Sequence, residues 1–162
     1  MLRSMGLCLL LVVPIWYLAQ PPREAEQRVR VVDQQPEVDA WQAGVEGAPV
    51  PRGVPGGWQP TVATGVRSPL GIRLGWVTAP DRYVEFAAAS GATGSYVQDL
   101  TGAREADGTV DVGGTRWERY VEQDGGSVSL VRRDEDVVVV VGTARSTATE
   151  DELLALARSV RP

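Results

Sequence analysis

Four groups of side chains in this 162-residue chain have types and spacings that could do chemistry. Asp134, Glu135 and Asp136 are consecutive carboxylates that could hold a calcium ion. A calcium loop spaces its ligands at alternate positions, however, so the contiguous triplet reads as a solvated hairpin turn. Arg116, Arg119, Arg132 and Arg133 fall on neighbouring predicted strands and could form an anion-binding patch. Asp111, Glu118 and Glu122 are available as partners, and ion pairing is the preferred reading. Trp58, Trp76 and Trp117 could form a stacking platform for sugars, but in a chain with one Phe the large aromatics are the first candidates for the core. Asp107 and Asp111 could be the paired carboxylates of a glycoside hydrolase, though nothing separates them from a solvated strand edge. No residue is therefore assigned as catalytic, cofactor-binding or metal-ligating, and no cofactor is expected.

The missing residue types exclude more than the present ones suggest. The chain has no His, no Lys and no Asn, and all 16 basic residues are Arg. Arg, Ala, Gly, Val and Pro dominate where Lys, Asn and Ile are scarce, the profile of a GC-rich genome. Whatever its origin, this composition leaves no imidazole for general base work or metal ligation. It leaves no lysine for a Schiff base or a phosphate loop, and rules out Ser–His–Asp, Cys–His and Ser–Lys arrangements. The sole cysteine, Cys8, lies in an apolar segment, so no intrachain disulfide can form. A formal net charge of −5 argues against nucleic acid as a partner. An enzyme is not expected.

The elements that must position these groups can be read in turn. Val29 to Asp33 suits a first strand or the approach to a helix running through Glu37 to Gln42, with Pro36 in its first turn. Residues 44 to 60 hold too many Gly and Pro for a regular element, and GVPGGW (53–58) reads as a tight turn delivering Trp58. From residue 61 the pattern becomes strands and hairpins. Gly71 to Thr78 sets Ile72, Leu74 and Trp76 on one face, and Tyr83 to Ala89 follows a Pro80-Asp81 turn. Thr93 to Leu100 suits a short helix packing Tyr96, Val97 and Leu100. Gly113-Gly114 predicts a two-residue hairpin with Val112 opposite Thr115, Asp111 opposite Arg116 and Val110 opposite Trp117. Turns at Asp124-Gly125-Gly126 and Asp134-Glu135-Asp136 follow, and the five valines 137–141 suit a central strand covered on both faces. Thr149 and Glu152 form a capping box for a helix from about 150 to Val160, with Leu153, Leu156, Ala157 and Val160 as its apolar stripe.

Ahead of this lies the apolar run Met5 to Ala19, ending in Trp16 and Tyr17 where an interfacial belt would place aromatics. Residues 1–19 predict an uncleaved transmembrane anchor. Cleavage after Ala19 would put the bulky Tyr17 at the minus-three position, which disfavours a signal peptide. Residues 20–28 read as a tether and 29–162 as one extracytoplasmic domain. Arg23, Arg28 and Arg30 follow the segment while only Arg3 precedes it, so orientation by basic residues is weak; the domain is nonetheless expected outside. A start upstream of Met1 would account for both the short segment and the thin basic flank.

In order along the chain, the apolar helix, GVPGGW (53–58), GIRLGWVT (71–78), VGGTRWERY (112–120), SLVRR (129–133), VVVVVGTA (137–144) and EDELLALARSV (150–160) resemble the actinobacterial membrane proteins of domain-of-unknown-function family 4245. The resemblance implies a single-pass envelope protein and carries no catalytic residues. The fold expected is α+β: a mostly antiparallel sheet of about six strands with helices near 93–100 and 150–160, preceded by one transmembrane helix. The function expected is a non-catalytic binding module outside the cytoplasmic membrane, held there by residues 5–19 and recognising an envelope protein or ligand. One alternative is a small-molecule or lipid carrier with a pocket between sheet and helices lined by Trp76, Trp117 and Phe86; another is a carboxylate-dependent hydrolase.

Overall fold

Gly113 and Gly114 both take positive φ, 63° and 82°, which a residue with a Cβ resists, and they close a two-residue hairpin. The computed structural model describes residues 30–123 and 126–162. The predicted anchor 1–19, the tether 20–28 and the Asp124-Gly125 part of one predicted turn lie outside the described residues. Among the described residues no helix is long and apolar enough to cross a membrane.

The elements run in the order α1 (Gln35–Gly44), β1 (Val50–Pro51), β2 (Gln59–Arg67), β3 (Leu70–Ala79), β4 (Arg82–Ser90), α2 (Gly94–Thr101), β5 (Gly108–Val112), β6 (Thr115–Val121), β7 (Val128–Asp134), β8 (Val137–Val141), α3 (Glu150–Ser159) and β9 (Val160–Arg161). Seven strands form one sheet in the order β2-β3-β4-β8-β7-β6-β5, with every neighbouring pair antiparallel. Two meanders, β2–β4 and β5–β8, are joined through α2, which carries the chain to the far edge. The second meander then returns until β8 pairs with β4.

The sheet is buried on both faces at its centre. Ile72, Leu74, Trp76, Phe86, Trp117, Val139 and Val141 face one way and pack with Trp41 of α1 and Leu153 and Leu156 of α3. Ala87, Val131, Val138 and Val140 face the other way and pack with Tyr96, Val97 and Leu100 of α2. The valines of β8 thus divide by alternation between two apolar layers, as their unbroken run predicts.

The fold is α+β with a large antiparallel sheet, but with seven strands rather than about six. The extra one, β2, is an edge strand that begins on Gln59-Pro60, slips register between Pro60 and Val62, and has no fully buried residue. A strand with neither face sealed has no apolar alternation to announce it. A second correction concerns the Gly/Pro-rich segment 44–60. Val50–Pro51 in it pairs with Val160–Arg161 as a two-stranded ribbon, so Val160 leaves the helix and is extended. Such a pairing links residues more than a hundred positions apart, beyond the reach of a local pattern.

Elsewhere the local chemistry holds. The 109–121 hairpin has the predicted register, Val112 to Thr115, Asp111 to Arg116 and Val110 to Trp117. Helix α1 starts after Asp33, whose carboxylate accepts the Gln35 N–H at 3.0 Å. Gln34 beside it donates to the Val62 carbonyl at 2.8 Å, tying the helix to β2. Trp41 is buried and donates its indole N–H to the Pro49 carbonyl at 3.2 Å.

Candidate functional site

Helix α2 has only eight residues and covers the middle of its sheet face. Toward β2 and β3 the same face continues without a helix and turns polar. Thr64, Arg73, Tyr83 and Glu85 line a cleft of about 530 Å³ there, with Val62 at its side and Arg145 reaching in from the loop after β8.

Register explains the grouping. Gly75 pairs with Glu85 and Arg73 with Ala87 across the β3–β4 hairpin, so Arg73 and Glu85 are diagonal neighbours on one face. Glu85 is only 2% exposed. Its Oε1 accepts from Arg73 Nε at 2.6 Å, and Nη2 lies in ion-pair contact with the same oxygen at 2.5 Å. Its Oε2 accepts from the Thr143 hydroxyl at 3.1 Å. Both oxygens of the buried carboxylate are therefore satisfied, as a charge out of water requires.

Tyr83 occupies the space that the side chain at position 75 would take. A Cβ on Gly75 would lie 2.2 Å from the Tyr83 hydroxyl oxygen, so glycine there is what allows the ring to lie across the strand. Burial pushes the Tyr83 phenol up to about 12, with Glu85 adding to the rise and Arg73 and Arg145 opposing it. Tyr96 of α2 is also raised to about 12, again chiefly by burial, with Arg73 lowering and Glu85 raising. Both phenols keep their protons at neutral pH and remain hydrogen-bond donors.

The segment 142–147 holds Arg145 beside this cleft. The Gly142 N–H donates to the Glu85 carbonyl at 2.7 Å and the Ala144 N–H to the Leu100 carbonyl at 2.8 Å. Thr143 N–H donates to the Ser146 hydroxyl at 2.9 Å, and Arg145 N–H to the Thr143 hydroxyl at 3.3 Å. Tyr83 and Thr147 exchange two bonds of 2.9 Å each. The backbone is thus pinned to β4 and α2 on either side of Arg145. Its side chain is exposed and forms no ion pair with a carboxylate among the described residues.

The residues singled out from sequence lie elsewhere. Asp134, Glu135 and Asp136 occupy the β7–β8 turn, where Asp134 accepts from Arg132 at 2.7 Å and Glu135 takes φ 45°. Among the described residues no group of three such side chains could hold a metal. Three of the four arginines are paired, Arg119 with Asp107, Arg132 with Asp134, and Arg133 with Glu118 at 3.4 Å, while Arg116 forms no ion pair among the described residues. Glu118 is an expected partner, whereas Asp107 and Asp134 replace Asp111 and Glu122. Asp111 instead accepts the Gly114 N–H at 2.9 Å and buttresses the hairpin turn. Trp76 and Trp117 are buried and Trp58 packs against the same core, so the three form no open platform. Arg132 lies 5.1 Å over the Trp117 ring. Phe86 fills the core with Trp76 and Trp117, and among the described residues Trp76 and Trp117 border separate surface clefts. Asp107 and Asp111, each engaged as described, do not converge on a cleft as two free carboxylates.

Sequence reasoning passed over Glu85, Arg73 and Arg145. A signal existed for the first two: Glu85 is the lone charge in YVEFAAA, and Arg73 the lone charge in GIRLGWVT. Counting back from the Pro80-Asp81 turn in simple register would put them on opposite faces; the register shift between Val77 and Ala79 brings them to one face.

A family model matches residues 1–160. The chain belongs to the family described as Protein of unknown function (DUF4245). No curated protein and no solved structure matches it. The match bears out the resemblance to this family; in this DUF4245 chain the GIRLGWVT motif forms β3, which carries Arg73 into the cleft, and VVVVVGTA forms β8 and the start of the loop that carries Arg145.

Proposed function

We propose that this DUF4245 chain is a non-catalytic binding module, tethered by residues 5–19 outside the cytoplasmic membrane, with the cleft beside α2 as its binding surface. The observation that carries this reading is Arg145, an exposed cation on a pinned loop, without a carboxylate partner among the described residues, at the edge of a concave site. A charge held in this way is preorganised for a ligand. The non-catalytic part rests on chemistry: the chain lacks His and Lys, the one buried carboxylate of the cleft is neutralised by Arg73 and Thr143, and the neighbouring phenols stay protonated.

The test is a photo-crosslinking side chain at Thr64, inside the cleft, and in parallel at Arg116, outside it, in spheroplasts of the producing cells. External protease should degrade the domain, and Thr64 should yield an adduct that Arg116 does not. A fully protected domain overturns the location. Equal capture at both positions, or none at Thr64, overturns the cleft as the binding surface.

A further inference from the structure

We infer that the cleft takes a compact ligand through an oxyanion group, carboxylate or phosphate, seated against Arg145, the Tyr83 hydroxyl and the outer edge of the Arg73 guanidinium. This rests on reading the cleft as a binding surface, and adds the class of ligand.

Charge decides the sign. Glu85 and Arg73 cancel, and Glu85 turns both oxygens away from any ligand by spending them on Arg73 and Thr143. Arg145 is then the uncompensated charge of the cleft, a cationic spot on a chain of formal net charge −5. Arg73 uses Nε and Nη2 on Glu85, and its side chain remains 31% exposed, which leaves the Nη1 edge for a further acceptor. Tyr83 lines the cleft within electrostatic reach of both guanidinium groups, and its phenol stays protonated throughout the physiological pH range. Guanidinium groups and a phenol hydroxyl supply donors only to an anion, and the planar guanidinium fork matches a carboxylate or phosphate edge. A metal cation finds no free carboxylate here. The cleft volume of about 530 Å³ lies in the range of small-molecule sites. Val62 offers an apolar wall for the body of the ligand.

Calorimetric titration of the full chain in zwitterionic nanodiscs, with succinate and separately with inorganic phosphate at fixed ionic strength, tests the inference. At least one anion should saturate, and the stronger of the two identifies the group as carboxylate or phosphate. Arg145→Gln should weaken that binding roughly tenfold or more, with unchanged Tm. Arg104→Gln, on an exposed loop outside the cleft lining, should bind like the parent chain. Saturation by neither probe, or equal binding by Arg145→Gln, overturns the inference. If Thr64 still crosslinks while neither anion binds, the ligand class is wrong and the binding surface stands. If Thr64 also fails to crosslink, both fall.

Discussion

Arg73 and Glu85, twelve positions apart in the chain, meet diagonally across the β3–β4 hairpin, and two guanidinium nitrogens converge on one carboxylate oxygen at 2.6 and 2.5 Å. A carboxylate as buried as Glu85 is tolerated only with such partners, because its lost hydration must be replaced in full. The pair organises the cleft floor: Thr143 is drawn to the second oxygen, and the loop carrying Arg145 is built on Thr143.

Removing the two partners should have unequal effects. Arg73→Ala leaves the Glu85 charge buried without its main counter-ion and should cost about 3 kcal/mol, the low end for such losses because Arg73 is partly solvated. Glu85→Gln should cost about 1–2 kcal/mol. The apolar double replacement Arg73→Met with Glu85→Leu should recover much of the Arg73→Ala loss. Urea unfolding of the parent, Arg73→Met, Glu85→Leu and their double variant measures the coupling; simple additivity would show that the pair does not act as a unit.

Gly75→Ala should force the Tyr83 ring off the strand, since the new methyl would overlap its hydroxyl. The expected cost is about 1–3 kcal/mol. The same substitution in a Tyr83→Ala background should cost clearly less. An equal cost in both backgrounds would place the strain in the backbone and not in the ring.

Tyr83 and Tyr96 make stability depend on alkaline pH. Burial raises both phenols from 10.0 to about 12 in the folded chain. A raised folded pKa means that the folded state holds its proton more tightly than the unfolded one. That contribution is intact below about pH 10 and is lost as pH rises toward about 12. Denaturant midpoints should fall across this window, and Tyr83→Phe with Tyr96→Phe should flatten the decline. An unchanged decline in the double variant would assign it to other groups.

The capping box of α3 governs the acid side. Burial alone would raise the Glu152 carboxyl. Hydrogen bonds from the Thr149 N–H and hydroxyl, at 2.8 and 3.0 Å, together with the Arg82 charge, outweigh it and hold the pKa below its usual 4.5. A lowered folded pKa gives stability that is present above 4.5 and lost as pH falls through the folded value. Thr149→Ala should cost about 1 kcal/mol at neutral pH. Glu152→Gln should shrink the stability lost on acidification; an identical acid limb in that variant would refute the assignment.

The framework was legible where chemistry is local. Gly113-Gly114 sets its own hairpin register, Thr149 and Glu152 cap their own helix, and the valines of β8 announce a strand sealed on both faces. The edge strand β2 and the β1–β9 ribbon were not legible: β2 has no fully buried residue to mark a face, and β1 pairs with backbone more than a hundred positions away. The cleft was half legible. Arg73 and Glu85 stand out as lone charges in apolar strands, but nothing around Arg145 in the sequence distinguishes it from the other exposed arginines.

Composition by itself determined what this chain lacks: without His and Lys, imidazole and amine chemistry are excluded in any conformation. Pattern determined the alternation of β3, β4 and β8 and the apolar stripe of α3, because side-chain periodicity is set by backbone geometry alone. Only the tertiary structure decided which end of the sheet α2 leaves open. Only it decided that a loop pinned to β4 and α2 brings Arg145 to the Arg73–Glu85 pair. The reason is physical: a helix of eight residues, about 12 Å long, cannot cover seven strands, and where it stops depends on packing, which no local pattern encodes.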